Sequence, residues 1–484
     1  MFLSRYSSIR LLSSVIIQSN MSSLQRNYKD AIEALNGLQT NAQYIKNAAA
    51  KPKAATNIPE VTKFLNRSGI SLEHLDKLSV IHITGTNGKG TTCAYCERIL
   101  RDHGYKTGFY SSPHLLDVRE RIRINGKPIS KKDFAQYFWR MFDLLDKHKR
   151  DPNDMPLYFR FLTILAFNIF LDQKVDVAII EVGIGGEYDC TNVLRKTKVV
   201  GITPLDLDHT SLLGNTLESI AWNKSGIMKE GCIALSACQP ESVLQVFRER
   251  SKERKCTFQV VEKDSFVENN SNFPSHIQST NASLALALSE AYINQDNNNS
   301  KPFSLDLAKK SIEQQHWPGR YEIKRIENLS FFLDGAHTLE SIRVCRDWFL
   351  SHTRKRPSKR TLIFNLTGDR DPDIFFKELA SCHFQSVIFT PNVGTSNDRA
   401  DIIDFILPED KQLMRCLDYK RKWVDMEASS TDKVETVHVA RTFSEAVESL
   451  KDGSERDILV TGSIHLIGAA MSVLDPTLDG ALSD

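Results

Sequence analysis

Lys89 sits in the run VIHITGTNGKGTT (Val80–Thr92), and the residues around it are of the types that hold phosphate. Gly85, Thr86, Asn87, Gly88, Gly90 and Thr91 flank it. Glycines let backbone N–H groups approach an anion, and a helix N-terminus adds a favourable dipole. A lysine supplies charge for the β- and γ-phosphates, and a threonine hydroxyl can serve Mg²⁺. Such a loop needs a buried strand before it and a helix after it. Val80, Ile81 and Ile83 read as the strand, and Thr91–Leu100 as the helix. Gly90 between the lysine and the threonine departs from G-x-x-x-x-G-K-[ST]. A chance glycine-rich turn is the alternative, disfavoured because strand, turn, lysine and hydroxyl occur in order. The loop therefore points to a nucleotide, with ATP and Mg²⁺ as cofactors.

Other polar residues stand at the ends of apolar runs, where α/β nucleotide enzymes place their chemistry. Thr107–Tyr110 reads as a strand leading to Ser112, which is equally a metal-reaching hydroxyl or part of a Ser-Pro turn. Val175–Val182 reads as a buried strand whose last polar residue, Glu181, precedes Gly183-Ile184-Gly185-Gly186. A metal carboxylate is favoured there over a turn cap. Lys198–Thr203 leads to Asp208-His209. A lone histidine is more often structural, but His209 falls at the same sheet edge as Ser112 and Glu181. Lys224 follows on the helix TLESIAWNKSGIMK, and an ammonium has no lone pair for a metal. The hairpin RIRING alternates Ile122 and Ile124 with Arg121 and Arg123, and Asn125-Gly126 is its turn. Its arginines either face an acidic substrate or form a wet face, and the wet face is favoured. Asn281 opens an Ala/Leu-rich helix and by itself reads as a cap.

These residues need a large α/β scaffold to bring them together. The chain has 484 residues, with 41% hydrophobic content and a net charge of +2. That is enough to bury two or three cores, and it offers no global charge for nucleic acid or an anionic membrane. Nine scattered cysteines suit reduced thiols, and Cys93 and Cys96 read as packing residues inside a helix. No apolar run is long enough to span a membrane. Residues 1–29 hold no Asp or Glu but contain Arg5, Arg10, Arg26 and Lys29 among many serines, as a mitochondrial transit peptide does. Met21 is a candidate second start giving a cytosolic form. Tyr28–Ile45 reads as a helix. Trp317-Pro318-Gly319-Arg320 marks a boundary, after which strands at Phe331–Leu333, Thr361–Asn365, Ser386–Thr390, Thr436–Val439 and Asp457–Thr461 alternate with helices. Arg320, Asp334 and His337 flank the start of this second α/β unit. The expected division is a leader at 1–24, a P-loop central domain with a mainly parallel sheet at 25–320, and a smaller Rossmann-like C-terminal domain at 321–484.

The runs GTNGKGTT, SSPHL…RERIRING, EVGIGG-x-x-D-x-TN, DHTSLLGNTLESIAWNKSGIMK, NASLAL, WPGR, LDGAH and GSIHLIG occur in this order between Tyr28 and Ile467. In that set the chain resembles the eukaryotic folylpolyglutamate synthases of the Mur ligase superfamily. Thr91 stands where serine is commoner, and Ile464 where leucine is usual. The resemblance implies an ATP-dependent ligase that adds L-glutamate to the γ-carboxylate of tetrahydrofolate and its polyglutamates through an acyl phosphate. It implies Mg²⁺ at Ser112, Glu181, His209 and Lys224, with Lys224 carbamylated to become an oxygen ligand. The bland reading pairs Lys224 with Glu181 or phosphate. Lys89, His209 and Lys224 are then the candidate catalytic groups, while Asn281, Arg320, Asp334 and His337 join the loop at ATP. A monovalent cation (K⁺), a monomeric state, and location in the mitochondrial matrix or at its inner membrane as well as the cytoplasm are implied in the same way. A dihydrofolate synthase or bifunctional enzyme is the alternative. A nucleotide-binding scaffold without ligase chemistry is disfavoured by the full set Ser112, Glu181, His209 and Lys224.

Overall fold

The computed structural model describes residues 26–38, 57–268, 270, 273, 275–295, 302–368, 370–395, 408–428 and 434–482. The leader, Met21 and the polar stretch Asp296–Ser300 lie outside the described residues. So does the expected first helix beyond Leu38.

Two sheets organise the chain. The strands of the first are β1 (Val80–Thr84), β2 (Thr107–Tyr110), β3 (Ile122–Ile124), β4 (Lys127–Pro128), β5 (Val177–Glu181), β6 (Val199–Ile202), β7 (Ile233–Ala237) and β8 (Thr257–Val261). Their spatial order is β4-β3-β2-β5-β1-β6-β7-β8. The ladders from β2 to β8 are parallel, and the hairpin β3–β4 lies antiparallel at one edge. The central strands β1 and β5 are buried along their full length. Parallel strands covered on both faces are uninterrupted apolar runs, which is how VIHIT and VAIIE read.

Helices α1 (Tyr28–Asn36), α2 (Asn57–Arg67), α3 (Lys89–Asp102), α4 (Lys131–Lys147), α5 (Tyr158–Asp172), α6 (Leu217–Lys224), α7 (Glu241–Glu253), α8 (His276–Asn294) and α9 (Leu305–Glu313) surround this sheet. Helix α1 stops earlier than its periodicity suggests: Gly37 follows, and Leu38 N turns back to Leu35 O at 3.0 Å in a tighter i→i−3 bond. Helix α8 starts earlier than expected, capped by Ser275. Asn281 is therefore an interior residue of α8 and not its cap.

The second sheet holds β9 (Glu322–Ile326), β10 (Leu329–Leu333), β11 (Lys359–Phe364), β12 (Ser386–Phe389), β13 (Thr436–Val439) and β14 (Arg456–Thr461), in the order β13-β12-β11-β14-β10-β9. All its ladders are parallel except β9–β10. Helices α10 (Leu339–Thr353), α11 (Asp373–Ala380), α12 (Glu409–Glu427), α13 (Phe443–Glu448) and α14 (Ile464–Leu474) cover it. The fold class is thus α/β, with a larger mostly parallel sheet and a smaller doubly wound one.

The hairpin arginines are not a wet face. Arg121 and Arg123 are both buried. Arg121 donates to His114 Nδ1 at 2.9 Å and lies over the Tyr158 ring. Arg123 donates to Glu120 O at 3.1 Å and lies over Trp317. Alternation in the sequence marks two faces, but the interdomain segment around Trp317 covers the polar one. Arg119, only 2% exposed, is held by Asp117, whose carboxylate also accepts from Tyr28 Oη at 2.7 Å. Replacing Asp117 by Ala leaves that guanidinium buried without its counter-charge. The expected loss is about 3–5 kcal/mol, the usual cost of breaking a buried pair, read as a lower denaturant midpoint with an unchanged slope.

Candidate active site

Strand β1 lies between β5 and β6, so Thr84, Glu181 and Ile202 bring three carboxyl ends together below the glycine loop. Gly85 has φ +143, and a Cβ there would collide with Thr203 Oγ1. Gly88 has φ +88, and its Cβ would fall 2.0 Å from Asn281 Nδ2. Both glycines are therefore demanded by left-handed backbone and by a neighbour already in place. The amides of Thr86 and Asn87 both donate to Pro204 O at 3.1 Å. Helix α3 starts at Lys89, two residues before the expected Thr91.

Lys89 Nζ donates to the loop carbonyls of Gly85 at 3.2 Å and Thr86 at 3.4 Å. Lys224 Nζ, buried, donates to the same Gly85 carbonyl at 2.6 Å. Two ammonium groups thus converge on one acceptor. Burial first, and the Lys89 charge second, push the Lys224 amine well below its ordinary range. Lys224 pairs with the loop backbone, and Glu181 is not its partner.

Glu181 is 4% exposed, and its Oε2 accepts from Ser112 N at 2.9 Å. Its side chain faces Gly90, whose Cβ would lie 3.5 Å from Oε2 and 3.4 Å from Trp317 Nε1. Burial raises its pKa, against Lys89, the Ser112 N–H, Arg320 and Arg121. Ser112 and Glu181 are thus brought together, with Lys89 and the start of α3 beside them.

His209 belongs to the other half of the site. It has φ +51 and sits 3.5 Å from Asp208 Oδ2. Desolvation, with Arg370, Lys89 and Lys224 nearby, lowers its pKa to about 4 despite Asp208, so it is neutral near pH 7 with a lone pair to give. Among the described residues no three His, Cys, Asp or Glu side chains are arranged as a preformed metal site. The Lys89 charge acts on Glu181 and on both His209 and Lys224.

The second domain supplies the rest. Asp334 is buried, accepts from Tyr321 N at 3.0 Å and has Arg320 as its nearest opposing charge. His337 Nδ1 pairs with Gly335 O at 2.9 Å, which leaves Nε2 3.7 Å from Asp208 Oδ2. Arg370 donates to Asp208 Oδ1 at 2.6 Å. Arg370 carries no local sign of a role, and nothing local ties it to a residue 162 positions away. Arg121, Asp208 and Trp317 also join the site, though none of them is among the candidate site residues.

A cavity of about 240 Å³ opens in the seam between the domains. Thr91, Gln278, Trp317, Arg320, Tyr321 and Trp348 line it. Gln278 lies one turn before Asn281 on α8, and the amide oxygens of both are without a partner. The cavity therefore continues from the phosphate loop into a space with aromatic walls and free polar groups, as a nucleoside requires.

A glycine loop at the switch point of a parallel sheet, a buried carboxylate beside it and a second α/β domain closing over it define an ATP-dependent ligase of the P-loop kind. No protein-family profile matches the chain. The chain is 38% identical to the mitochondrial folylpolyglutamate synthase of Bos taurus, over 93% of each chain. It is 37% identical to the mitochondrial folylpolyglutamate synthase of Homo sapiens, over 93% of this chain and 92% of that one. The Neurospora crassa folylpolyglutamate synthase is 36% identical, over 94% of this chain and 93% of its own. On this identity and coverage the chain belongs to the folylpolyglutamate synthase family. The fold is similar to that of the Mycobacterium tuberculosis folylpolyglutamate synthase complexed with ADP, at TM-score 0.71 and 24% identity over 93% of this chain and 99% of that one. It is also similar to Escherichia coli FolC in complex with DHPP and ADP, at TM-score 0.65 and 23% identity over 86% and 92%.

Gly88→Ala is expected to destabilise the fold by about 1–2 kcal/mol, because a left-handed residue with a Cβ carries that strain, and Asn281 must also move. A lower denaturant midpoint checks this.

Proposed function

We propose that this protein is an ATP-dependent ligase that adds L-glutamate to the γ-carboxylate of tetrahydrofolate and its polyglutamates. The observation that carries the reading is the buried Glu181 carboxylate facing Lys89 at the end of the glycine loop, in a chain of this family. A carboxylate cannot expel oxide, so it must be activated. Transfer of the γ-phosphoryl group of ATP makes an acyl phosphate and ADP. The α-amine of glutamate attacks the acyl carbon, the tetrahedral intermediate collapses, and phosphate leaves with the new amide in place. Most of the catalysis is positioning and charge stabilisation.

Each residue has a task in this reading. Lys89 and the amides of the loop hold the β- and γ-phosphates. Asn281, Arg320, Asp334 and His337 hold the nucleotide from α8 and from the second domain, with the base in the seam cavity. Ser112 and Glu181 offer hard oxygen donors, and the carboxylate has few hydrogen bonds of its own, which suits Mg²⁺. When bound, Mg²⁺ neutralises phosphate charge during transfer. His209 is the neutral donor of a second metal position, and Lys224 completes it as a carbamate. The lowered amine of Lys224 supports this, because carbamylation requires a neutral nitrogen: the amine adds to CO₂ and releases one proton. K⁺ rests on resemblance alone. Mitochondrial residence is supported by the names of the mammalian relatives and by the basic, acid-free residues 1–29. A cytoplasmic form starting at Met21 and a monomeric state belong to the same proposal.

ATP-dependent incorporation of labelled glutamate is the test, with tetrahydrofolate and dihydropteroate as rival acceptors. Product on tetrahydrofolate alone is expected; product on dihydropteroate as well makes the enzyme bifunctional. Glu181→Ala should abolish turnover with the melting temperature kept, and near-normal activity would refute the metal role. For Lys224, ¹³CO₂ is expected to give a carbamate resonance that disappears in Lys224→Arg.

A further inference from the structure

The amino-terminal edge of the larger sheet, opposite the nucleotide loop, holds a feature that the ligase chemistry does not use. Strands β7 and β8 pair in parallel from Ile233↔Thr257 to Ala237↔Val261. One position earlier the same register sets Cys232 opposite Cys256. Thr257 N donates to Cys232 O at 3.1 Å, and Gly231 N to Lys255 O at 3.0 Å, so the backbone is held on both sides of the pair. Adjacent strands lie about 4.7–4.9 Å apart, inside the range of about 4.4–6.8 Å between Cα atoms that a disulfide requires. Both side chains point to the same face, into the cluster formed with Met228, Ala234 and Phe247.

The two thiols perturb each other across the strand pair: the contact lowers the Cys232 thiol and, with burial, pushes the Cys256 thiol up. Cys232 Sγ also accepts from Lys229 N at 3.4 Å. The Cys256 thiol, with that amide, Thr197 and the Lys229 charge, lowers the Cys232 pKa to about 7 against the effect of burial. Cys232 is 1% exposed, while Cys256 is partly open to solvent. One sulfur is thus reachable and its neighbour is held ready as a thiolate. The exposed Cys238 differs: Glu262 and desolvation raise its pKa.

We propose that Cys232 and Cys256 are a site of reversible oxidation, closing to an intrachain disulfide under hydrogen peroxide. The Cys232 thiolate attacks a peroxide that enters beside the partly open Cys256; the O–O bond breaks, Cys256 gives its proton to the departing hydroxide, and a sulfenic acid on Cys232 and one water result. The Cys256 thiolate then attacks the sulfenic sulfur; the S–S bond forms, the S–O bond breaks, and the released hydroxide takes a proton from solvent as the second water. One thiolate, one thiol, one peroxide and one proton give one disulfide and two waters, and a small dithiol restores the pair.

The test is to treat the full-length protein with hydrogen peroxide, quench the peroxide, block remaining thiols with an alkylating agent in denaturant and map the peptides by mass spectrometry. A Cys232–Cys256 cross-linked peptide, two hydrogens lighter than its parts and lost on treatment with dithiothreitol, is expected. In Cys256→Ser the cross-link should vanish and Cys232 should be found as a thiol or an oxyacid, because the resolving sulfur is gone. Cys238→Ser should still form the cross-link. Full alkylation of both cysteines at a peroxide dose that oxidises Cys238 would overturn the proposal. So would advance of either cysteine to the sulfinic acid without cross-linking in the unsubstituted protein. The melting temperature of Cys256→Ser separates a fold defect from loss of the partner thiol.

Discussion

A carboxylate that water barely reaches sets the terms for the site. Burial disfavours the charged form of Glu181, and one backbone N–H from Ser112 does little to offset that. The remaining compensation must come from positive charge, and the structure directs Lys89, Arg320 and Arg121 toward it. Those three come from the glycine loop, the interdomain segment and the edge hairpin. The demand of one buried anion therefore reaches into three separate parts of the chain. A divalent cation would meet the same demand more completely, which is the physical ground for the metal role proposed for Glu181.

The same logic runs through the domain seam with the signs arranged differently. Asp208, on the first domain, receives Arg370 and faces His337 from the second. Arg320 lies next to Gly335, and Tyr321 donates its amide to Asp334. Groups from both domains thus meet in the seam, and neither domain alone carries the full set of charges.

The sheets were legible because their strands are buried on both faces and read as unbroken apolar runs. VAIIE and VIHIT needed no context, and Gly85 and Gly88 announced a loop that only glycine can follow. What lay beyond reach was anything decided by a covering layer. Arg121 and Arg123 alternate with isoleucines like a solvated hairpin, and only Tyr158 over the first and Trp317 over the second, both well along the chain, show that they are covered. Asn281 looked like a cap because the polar residues before it hide a helix that starts at His276. Arg370 carried no local sign of Asp208. Ser112, Glu181, His209 and Lys224 were visible as residues at strand and helix ends, but their common neighbourhood around Lys89 is a property of the fold.

Leu115 and Leu116 follow Ser112 by only a few residues, yet they are buried in the core of the second domain with Phe331, Leu466 and Ile467. A Cβ on Gly468 would strike the Leu115 carbonyl. The loop that carries Ser112 is thus covalently part of one domain and packed as part of the other. During synthesis the first sheet can form while α14 has not yet been made, and the Ser112 loop then has nowhere to bury its leucines. The Ser112 loop therefore reaches its packed position only when α14 is present to receive those leucines.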